Sequence, residues 1–397
     1  MELLSGLPES IRHEQIDFLS SKTVRNVISN GTLKAEKIHD RQVIGENLET
    51  LLKRWLDEGD EQCAFYLGQI YFEKEKYNEA WNYFRMGYEK FNDQKSKFQL
   101  GIMLYDNLVS KDVTKVSNPQ AKACEFFKEI MTLDVQIASP VDQRNLVFSA
   151  AFNLGRAYYQ GYGVCSSTED ALRCFLFAAN NGDSKACISA QTALGYLYSG
   201  PEICDLQKAF QWHSDACGNG SVESQAVLGV MYLYGIGVKE DWDNALFCLS
   251  EASARGSLYA KANLIYFYYR RKMFTNVCYL ASRMVTCDNF MTSECIQTFQ
   301  CRAMSMACFL YALCLKSGKG VQKDELLANQ LFSKVCTFTS RIVLHSYNWF
   351  VYLTVIVSSS YCYNFSSFSQ IGQELNVLKN KINSLHFVSF NFLNAFH

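Results

Sequence analysis

The feature that most constrains the fold of this chain is a pattern that recurs along it. Three stretches, which begin at Ala151, Gln225 and Cys308, align with one another over most of their length. Four small residues of the first stretch reappear 74 residues later: Gly155, Gly163, Ala171 and Gly182 recur as Gly229, Gly237, Ala245 and Gly256. A further copy with a shortened turn lies between them. Self-similarity at a period of roughly 33 to 40 residues is typical of a helical solenoid.

Weaker copies open at Ala64, Lys97 and Ala262, which brings the array to about seven units. Only 4 Pro against 22 Gly in 397 residues also favours helices joined by glycine-containing turns. The sequence therefore predicts an all-α fold, a right-handed αα superhelix of about seven helix pairs. We expect this solenoid to span residues 47–336.

Each unit reads as two helices, here called helix A and helix B. Leu154, Ala157 and Tyr158 share one face of a helix A. Gly155 stands in the middle of that helix, where it costs about 1 kcal/mol relative to Ala. Its recurrence predicts a close approach by the partner helix. The Gly-Tyr-Gly-Val segment that follows supplies a turn tolerant of left-handed backbone.

The pattern L-G-x-x-Y, then G-x-G-V, then spaced Ala and Gly resembles Sel-one-like repeats, the longer-turn relatives of tetratricopeptide repeats. More narrowly, NLGRAYYQGYGV, KAFQWHSDACGNGSVESQAVLGVMYLYG and FKEIM are similar to the megalin-binding proteins. This similarity runs from about Asn47 to Cys336. It implies a non-catalytic cytosolic adaptor that binds the cytoplasmic tail of a megalin-like endocytic receptor and links it to other proteins.

The two ends of the chain depart from the repeat. Residues 1–46 match only loosely and carry no apolar core of a secretory signal. Residues 337–397 form an atypical tail, with no charged residue between Ile342 and Gln373. Its apolar core, Trp349 to Val357, is too short to span a membrane. We expect a poorly ordered or non-native tail. The alternative is a weak cap formed by the amphipathic stretch from Ile371 to Leu385.

No enzyme motif is present: the sequence has no P-loop, no G-x-S-x-G, no HExxH and no dinucleotide-binding fingerprint. His213 and Cys217 would stand one helical turn apart, but Cys217 fills the slot of Ala179 in the preceding unit, which favours packing. The acid pairs Glu169-Asp170 and Glu240-Asp241 fall where helix B begins, and we interpret them as helix caps. We expect no catalytic residues and no cofactor.

The charge and the cysteine content restrict the classes of partner and the cellular compartment that we expect for this protein. A formal net charge of -1 provides no field to hold nucleic acid. The 16 Cys include no CxxC pair, so we expect no metal site. Without an export signal the thiols should stay reduced and mostly buried, which predicts a cytoplasmic protein.

In tetratricopeptide-like solenoids helix A lines the concave groove, so side chains two before, two after and five after the repeated Leu should face a bound peptide. The predicted partner-binding residues at these positions are Phe65, Gln69, Phe72, Phe98, Phe152, Arg156, Tyr159, Tyr196, Tyr266 and Tyr269. The same positions include Ile102, Tyr105, Thr192, Ser199, Ala226, Val230 and Leu233. Aromatic residues and Arg are the types that anchor protein interfaces. The competing interpretation is that these aromatics pack between neighbouring helices A.

Two further classes stay open beside the receptor adaptor. One is a general assembly scaffold that binds folded partners through its convex face or edges. The other is a secreted or organelle-luminal Sel-like protein with disulfides inside its repeats, which the missing signal and the irregular cysteine spacing disfavour. An enzyme ranks last.

Overall fold

A computed structural model describes residues 48–133, 141–179, 185–286 and 297–343. Sixteen helices account for the regular structure of these residues, and they contain no strand. The helices are α1 (Leu48–Asp57), α2 (Gln62–Glu73), α3 (Tyr77–Phe91), α4 (Gln94–Tyr105), α5 (Lys111–Thr114), α6 (Pro119–Met131), α7 (Val141–Gln160), α8 (Thr168–Ala179), α9 (Lys185–Ser199), α10 (Leu206–Gly218), α11 (Val222–Tyr234), α12 (Trp242–Ala254), α13 (Leu258–Arg270), α14 (Phe274–Val285), α15 (Gln297–Ser317) and α16 (Glu325–Val343). The predictions for residues 1–46 and for the tail beyond Val343 lie outside the described residues.

The helices alternate between the A and B types that the repeat predicts. The A/B pairs are α2/α3, α4/α6, α9/α10, α11/α12, α13/α14 and α15/α16, and in chain order α7 is of type A and α8 of type B. The chain divides into two units after Ser166, so that α1 to α7 belong to unit 1 and α8 to α16 to unit 2. Within each unit, successive helices pack as antiparallel neighbours, and each helix A also contacts the next helix A. The predicted all-α solenoid fold is confirmed.

The glycine in the middle of helix A is a point of close contact with helix B, as the repeat predicts. A Cβ built on Gly68 would stand 2.5 Å from the Phe84 ring, and one on Gly229 would stand 2.6 Å from Leu249. Gly101 meets Phe127 in the same way, at 2.8 Å. Helix B therefore lies against the backbone of helix A, and a larger residue would separate the two helices.

The second glycine of the G-x-G-V turn contacts the preceding pair. Gly237 has φ +66°, and a Cβ there would collide with the backbone of Leu206 at the start of α10. Gly163 is placed likewise against Gln120, and Gly320 against Phe274. Both the left-handed backbone and the absent side chain are needed, because main-chain atoms fill the space.

Helix ends follow local side-chain chemistry. Asp241 caps α12, where its carboxylate accepts hydrogen bonds of 3.0 Å from the backbone N–H groups of Asp243 and Asn244. The same role predicted for Glu169-Asp170 is wrong in detail. The α8 helix is capped by Ser167, whose hydroxyl accepts from the Asp170 N–H at 3.1 Å. The acids of its first turn instead pair with Arg173.

The core consists of apolar side chains held between successive helices. In unit 2, Ala245, Leu249 and Ala252 of α12 are fully buried against α11 and α13. Of the eleven cysteines whose side chains the structure describes, eight are buried, and all eleven are free thiols. They serve as small apolar residues of the core, as expected, and Cys174 and Cys248 form no bond with each other.

Candidate functional site

The candidate site is the helix-A face, the exposed side of the adjacent helices A in each unit. In unit 1 it is formed by α2, α4 and α7, and in unit 2 by α9, α11, α13 and α15. Each unit is considered separately below. The contacts between consecutive helices A make a continuous surface within a unit, which is the type of surface that an extended peptide can follow.

On α2 the predicted residues are half-buried. The Phe65 ring packs 5.9 Å from Phe84 of α3, and the Phe72 ring stands 5.5 Å from Tyr77 in an edge-to-face arrangement. Gln69 is half-buried between them along the helix. Both aromatics thus contact helix B of their own pair and keep one edge available to solvent.

Phe98 and Phe152 are predicted to face a bound peptide, but both rings are buried. Phe98 is 9 % exposed and packs 5.8 Å from Phe127, while Phe152 is 8 % exposed. For Phe98 the ring is large enough to lean against helix B of its own pair, which the repeat spacing alone does not reveal. Tyr105, at another of the predicted positions, is likewise buried.

Arg156 is also buried rather than exposed. Its guanidinium donates to the Asn153 side-chain oxygen at 3.0 Å, stands 3.9 Å from the Asp106 carboxylate and lies 5.2 Å above the Tyr105 ring. These contacts give the Arg156 side chain a structural role, because they connect α7 with α4. One turn further, Tyr159 is half-buried and is the accessible predicted residue of α7.

In unit 2 the predicted residues divide into a buried and an accessible group. Tyr196 of α9 is 2 % exposed and meets the His213 ring edge-to-face at 4.9 Å, so its predicted exposure is wrong. Burial raises its pKa well above the ordinary value of 10. The other positions predicted on α9 and α11 are buried as well: Thr192, Ser199, Ala226, Val230 and Leu233. They line the contacts between neighbouring helices.

The accessible group of unit 2 lies on α13. Tyr266 is half-buried and stacks on Tyr234 of α11, with 6.1 Å between ring centroids and 25° between planes. Its hydroxyl accepts a 3.2 Å hydrogen bond from Arg270. Tyr269 is half-buried beside Phe274, and burial raises its pKa. Two tyrosines with fixed rings and open edges are therefore presented on this helix.

His213 and Cys217 do not form a nucleophile–base pair. The imidazole is fully buried, and burial lowers its pKa to about 3, so the ring is neutral at physiological pH. Its Nδ1 lies 3.1 Å from the Ser224 hydroxyl, and its Nε2 has no hydrogen-bond partner in the described part of the chain. Burial raises the pKa of the Cys217 thiol. The imidazole is too weak a base and the thiol too weak an acid to act as such a pair near neutral pH.

The Ser224 hydroxyl belongs to a buried polar network between α9, α10 and α11. Thr192 Oγ1 lies 3.0 Å from Ser224 Oγ and 3.1 Å from Ser221 Oγ, and donates to the Ile188 carbonyl at 3.0 Å. The network joins the predicted groove position Thr192 to His213. The network is buried and connects three helices, so it acts in packing and is not accessible to a substrate.

The two most exposed aromatics on the described helices B were missed by the sequence analysis. Phe247 of α12 is 62 % exposed and Tyr279 of α14 is 58 % exposed. They occupy equivalent positions, two residues after Ala245 and Val277, where other units carry polar residues such as Gln211. Comparing that position between units would have identified them.

Two further properties concern the described residues only. They contain no cluster of three or more His, Cys, Asp or Glu side chains placed to hold a metal ion. Within the same ranges, every helix falls short of the length and apolarity needed to cross a membrane.

The fold and the helix-A face define the class of this protein: it is a helical-repeat protein with a surface suited to binding other proteins. Comparison with known proteins agrees. The Sel1 repeat family model matches residues 148–183, 188–221, 222–257 and 305–336, which is less than half of the chain. Proteins built from Sel1 repeats generally serve as non-catalytic scaffolds for protein–protein interactions.

Two solved structures are similar to this chain. A Sel1 repeat protein from Oxalobacter formigenes is 20% identical, with 68% of this chain and 98% of that chain covered and a TM-score of 0.47. The protein c5321, a protective antigen of uropathogenic Escherichia coli strains that displays an SLR fold, is 20% identical. That match covers 73% of this chain and 79% of the other, with a TM-score of 0.36.

Proposed function

We propose that this protein is a non-catalytic cytoplasmic adaptor that binds an extended segment of a partner protein along its helix-A face. The partner we propose is the cytoplasmic tail of a megalin-like endocytic receptor, as the sequence resemblance implies. The observation that carries the proposal is the pair of half-buried tyrosines on α13, whose rings are fixed by neighbours while their edges stay open.

Fixed aromatic side chains suit this role because they lose little conformational entropy when a partner binds. Tyr266 is held between Tyr234 and Arg270, and Tyr269 is held by Phe274. In unit 1 the corresponding accessible residues are Phe65, Gln69, Phe72 and Tyr159. The buried members of the predicted set, Phe98, Phe152, Arg156 and Tyr196, support this surface from beneath.

The test is a fluorescence anisotropy titration of the full-length protein against labelled segments of the receptor tail. We expect saturable binding tighter than roughly 10 µM, which corresponds to about 7 kcal/mol. The Tyr266→Ala variant should weaken binding about tenfold, since truncation of an aromatic anchor removes a principal contact. Circular dichroism establishes that the variant is folded.

The chain provides a matched control on the opposite side of the solenoid. Tyr279 of α14 is paired with Arg283 four residues later, as Tyr266 is paired with Arg270, and the Arg283 guanidinium donates to the Tyr279 hydroxyl at 2.6 Å. Tyr279→Ala should leave peptide binding unchanged. If Tyr266→Ala binds as well as the unmodified protein, the helix-A face is not the binding surface.

The alternative function is a scaffold that binds folded partners through helices B. The exposure of Phe247 and Tyr279 at equivalent positions of successive helices B favours it, because large exposed aromatics mark interaction surfaces. In that case Tyr279→Ala and Phe247→Ala would reduce association with a folded partner, and an excess of tail peptide would not displace it. The two functions therefore predict opposite effects of the two tyrosine variants.

A further inference from the structure

Two guanidinium groups are held on one indole ring at the end of α13. The Arg270 guanidinium carbon lies 5.5 Å from the centroid of the Trp242 ring, and that of Arg271 lies 5.4 Å from it. The indole is itself fixed, since its N–H donates to the Glu240 carboxylate at 2.7 Å. Arg270 is anchored a second time by the Tyr266 hydroxyl. Both arginines are thus ordered before any partner binds.

Neither guanidinium belongs to an ion pair with a described residue, and the carboxylate that acts on Arg270 from a longer distance is that of Glu240, which is bonded to the same indole. Among the described residues, no carboxylate lies within 4.0 Å of either guanidinium, and both side chains are exposed. Arg173, another exposed arginine of unit 2, differs, because it pairs with Glu169 at 2.5 Å. A guanidinium has five N–H donors, and Arg270 uses one of them on Tyr266. Most of the donors of Arg270 and Arg271 stay available to a ligand.

The cationic surface continues to the next pair. The ammonium of Lys319 lies 5.3 Å from the Phe274 ring, which in turn packs beside Tyr269 at 5.7 Å. Lys319 is exposed and forms no ion pair with any residue that the structure describes. We call these side chains the cation–aromatic cluster, which consists of Trp242, Tyr266, Arg270, Arg271, Phe274 and Lys319.

The cluster lies next to the helix-A face, and it makes the two ends of that face differ in charge. Arg270 ends α13, whereas the Glu223 carboxylate stands in the first turn of the neighbouring helix A, α11. Because successive helices A run parallel, the negative and positive groups fall at opposite ends of the surface. A peptide that crosses α13 would meet the paired guanidinium groups where the helix ends.

We propose that the cation–aromatic cluster binds the carboxylates of an acidic peptide segment, so that the partner of the helix-A face carries Asp or Glu residues beside its α13 contact. This rests on the proposed function, whose binding surface it extends. Guanidinium groups accept carboxylates through paired hydrogen bonds, and their fixed position avoids the entropy of ordering two long side chains. The overall charge of -1 gives nucleic acid no comparable attraction.

The test uses the full-length protein and a short fluorescein-labelled peptide of alternating Glu and Ser residues, with a Gln/Ser peptide as the neutral probe. The double variant Arg270→Gln/Arg271→Gln should weaken binding of the Glu peptide about tenfold or more, and binding should fall as NaCl rises. The control is Arg173→Gln/Arg283→Gln, which removes two exposed guanidinium groups of the same unit and should change binding less than twofold. The Gln/Ser peptide should bind weakly to all three proteins.

If the control variant weakens binding of the Glu peptide equally, the effect is general electrostatics and the proposal is wrong. The proposal is also wrong if a phosphoserine peptide, RNA or anionic vesicles bind more tightly than the Glu peptide through the same two arginines. The receptor-tail segments separate this proposal from the proposed function. If they bind with unchanged affinity to Arg270→Gln/Arg271→Gln, the acidic-peptide site is wrong and the adaptor stands. If they do not bind at all while the Glu peptide binds through the cluster, the receptor partner is wrong and the site stands.

Discussion

The imidazole of His213 lies directly against the backbone of Gly195. A Cβ on that glycine would come within 2.7 Å of three ring atoms. His213 occupies the helix-B slot that Phe84, Phe127 and Leu249 fill in other pairs, each against the equivalent glycine. The histidine is therefore a core residue of its pair, and its neutral form is the one that fits.

The first prediction concerns that contact. Gly195→Ala should destabilise the protein by about 1 to 3 kcal/mol, since the added methyl forces the ring and α10 away from α9. Gly218→Ala is the control, because no atom lies within 4 Å of a Cβ built there. It should be neutral or slightly stabilising. Urea unfolding followed by circular dichroism measures both, and equal midpoints would contradict the close contact.

The second prediction concerns pH. Burial lowers the pKa of His213 from 6.5 to about 3. Because the folded value is the lower one, the unfolded chain takes up a proton that the folded protein does not as pH falls from about 6.5 towards 3. Stability is thus fully present above pH 6.5 and declines below it, by about 2 kcal/mol between pH 7 and pH 5.

The variant that isolates this effect is His213→Phe, which places in the slot the ring found at Phe84 and Phe127. Its overall stability can differ from that of the unmodified protein, but the extra loss between pH 7 and pH 5 should disappear. Urea midpoints at several pH values supply the comparison. Parallel pH profiles of the two proteins would show that His213 is protonated in the folded state.

The third prediction separates two reasons for glycine in turns. Gly237 needs both its positive φ and the space taken by the Leu206 backbone, whereas Gly256 has φ +97° with nothing within 4 Å of a built Cβ. Gly256→Ala should cost about 1 to 2 kcal/mol from backbone strain alone. Gly237→Ala should cost more, because main-chain atoms must also move. Thermal unfolding ranks the two, and the reverse order would reject the turn contact.

The fourth prediction tests the start of α13. The Ser257 hydroxyl accepts a 3.2 Å hydrogen bond from the Ala260 N–H as the N-cap of this helix. Ser257→Ala should destabilise the protein by about 1 kcal/mol. Ser253→Ala, near the end of α12, removes a hydroxyl without a capping role and should have little effect. Differential scanning calorimetry can compare them, and a matching loss in both would mean that the cap contributes nothing.

Much of the fold follows from the sequence because the repeat encodes contacts as well as helices. The recurring glycine of helix A predicts a close helix partner, and the structure places Phe84 and Leu249 there. The G-x-G-V segment predicts a left-handed turn, and Gly237 adopts one. These features depend on neighbours within one unit or the next, which the repeat spacing brings together.

The candidate site was less predictable because periodicity gives the direction of a side chain and not its depth. Tyr196 and Tyr105, two and five residues after the repeated Leu of their units, are buried, while Tyr266 and Tyr269 at the corresponding positions of α13 stay partly exposed. The contact between Arg271 and Trp242 connects the turns of two successive helix pairs. The repeat spacing does not predict this contact. Only the Tyr266 and Arg270 separation of four residues was visible as a helical neighbour pair.

The turn glycines have a consequence for how the sequence of such a protein can evolve. Gly163, Gly237 and Gly320 rest on the main chain of the pair before them, so the step from one pair to the next depends on backbone atoms that every sequence shares. Outward-facing side chains take no part in setting that step. New recognition specificities can therefore arise by surface substitution alone, while the spacing of the docking positions is inherited unaltered.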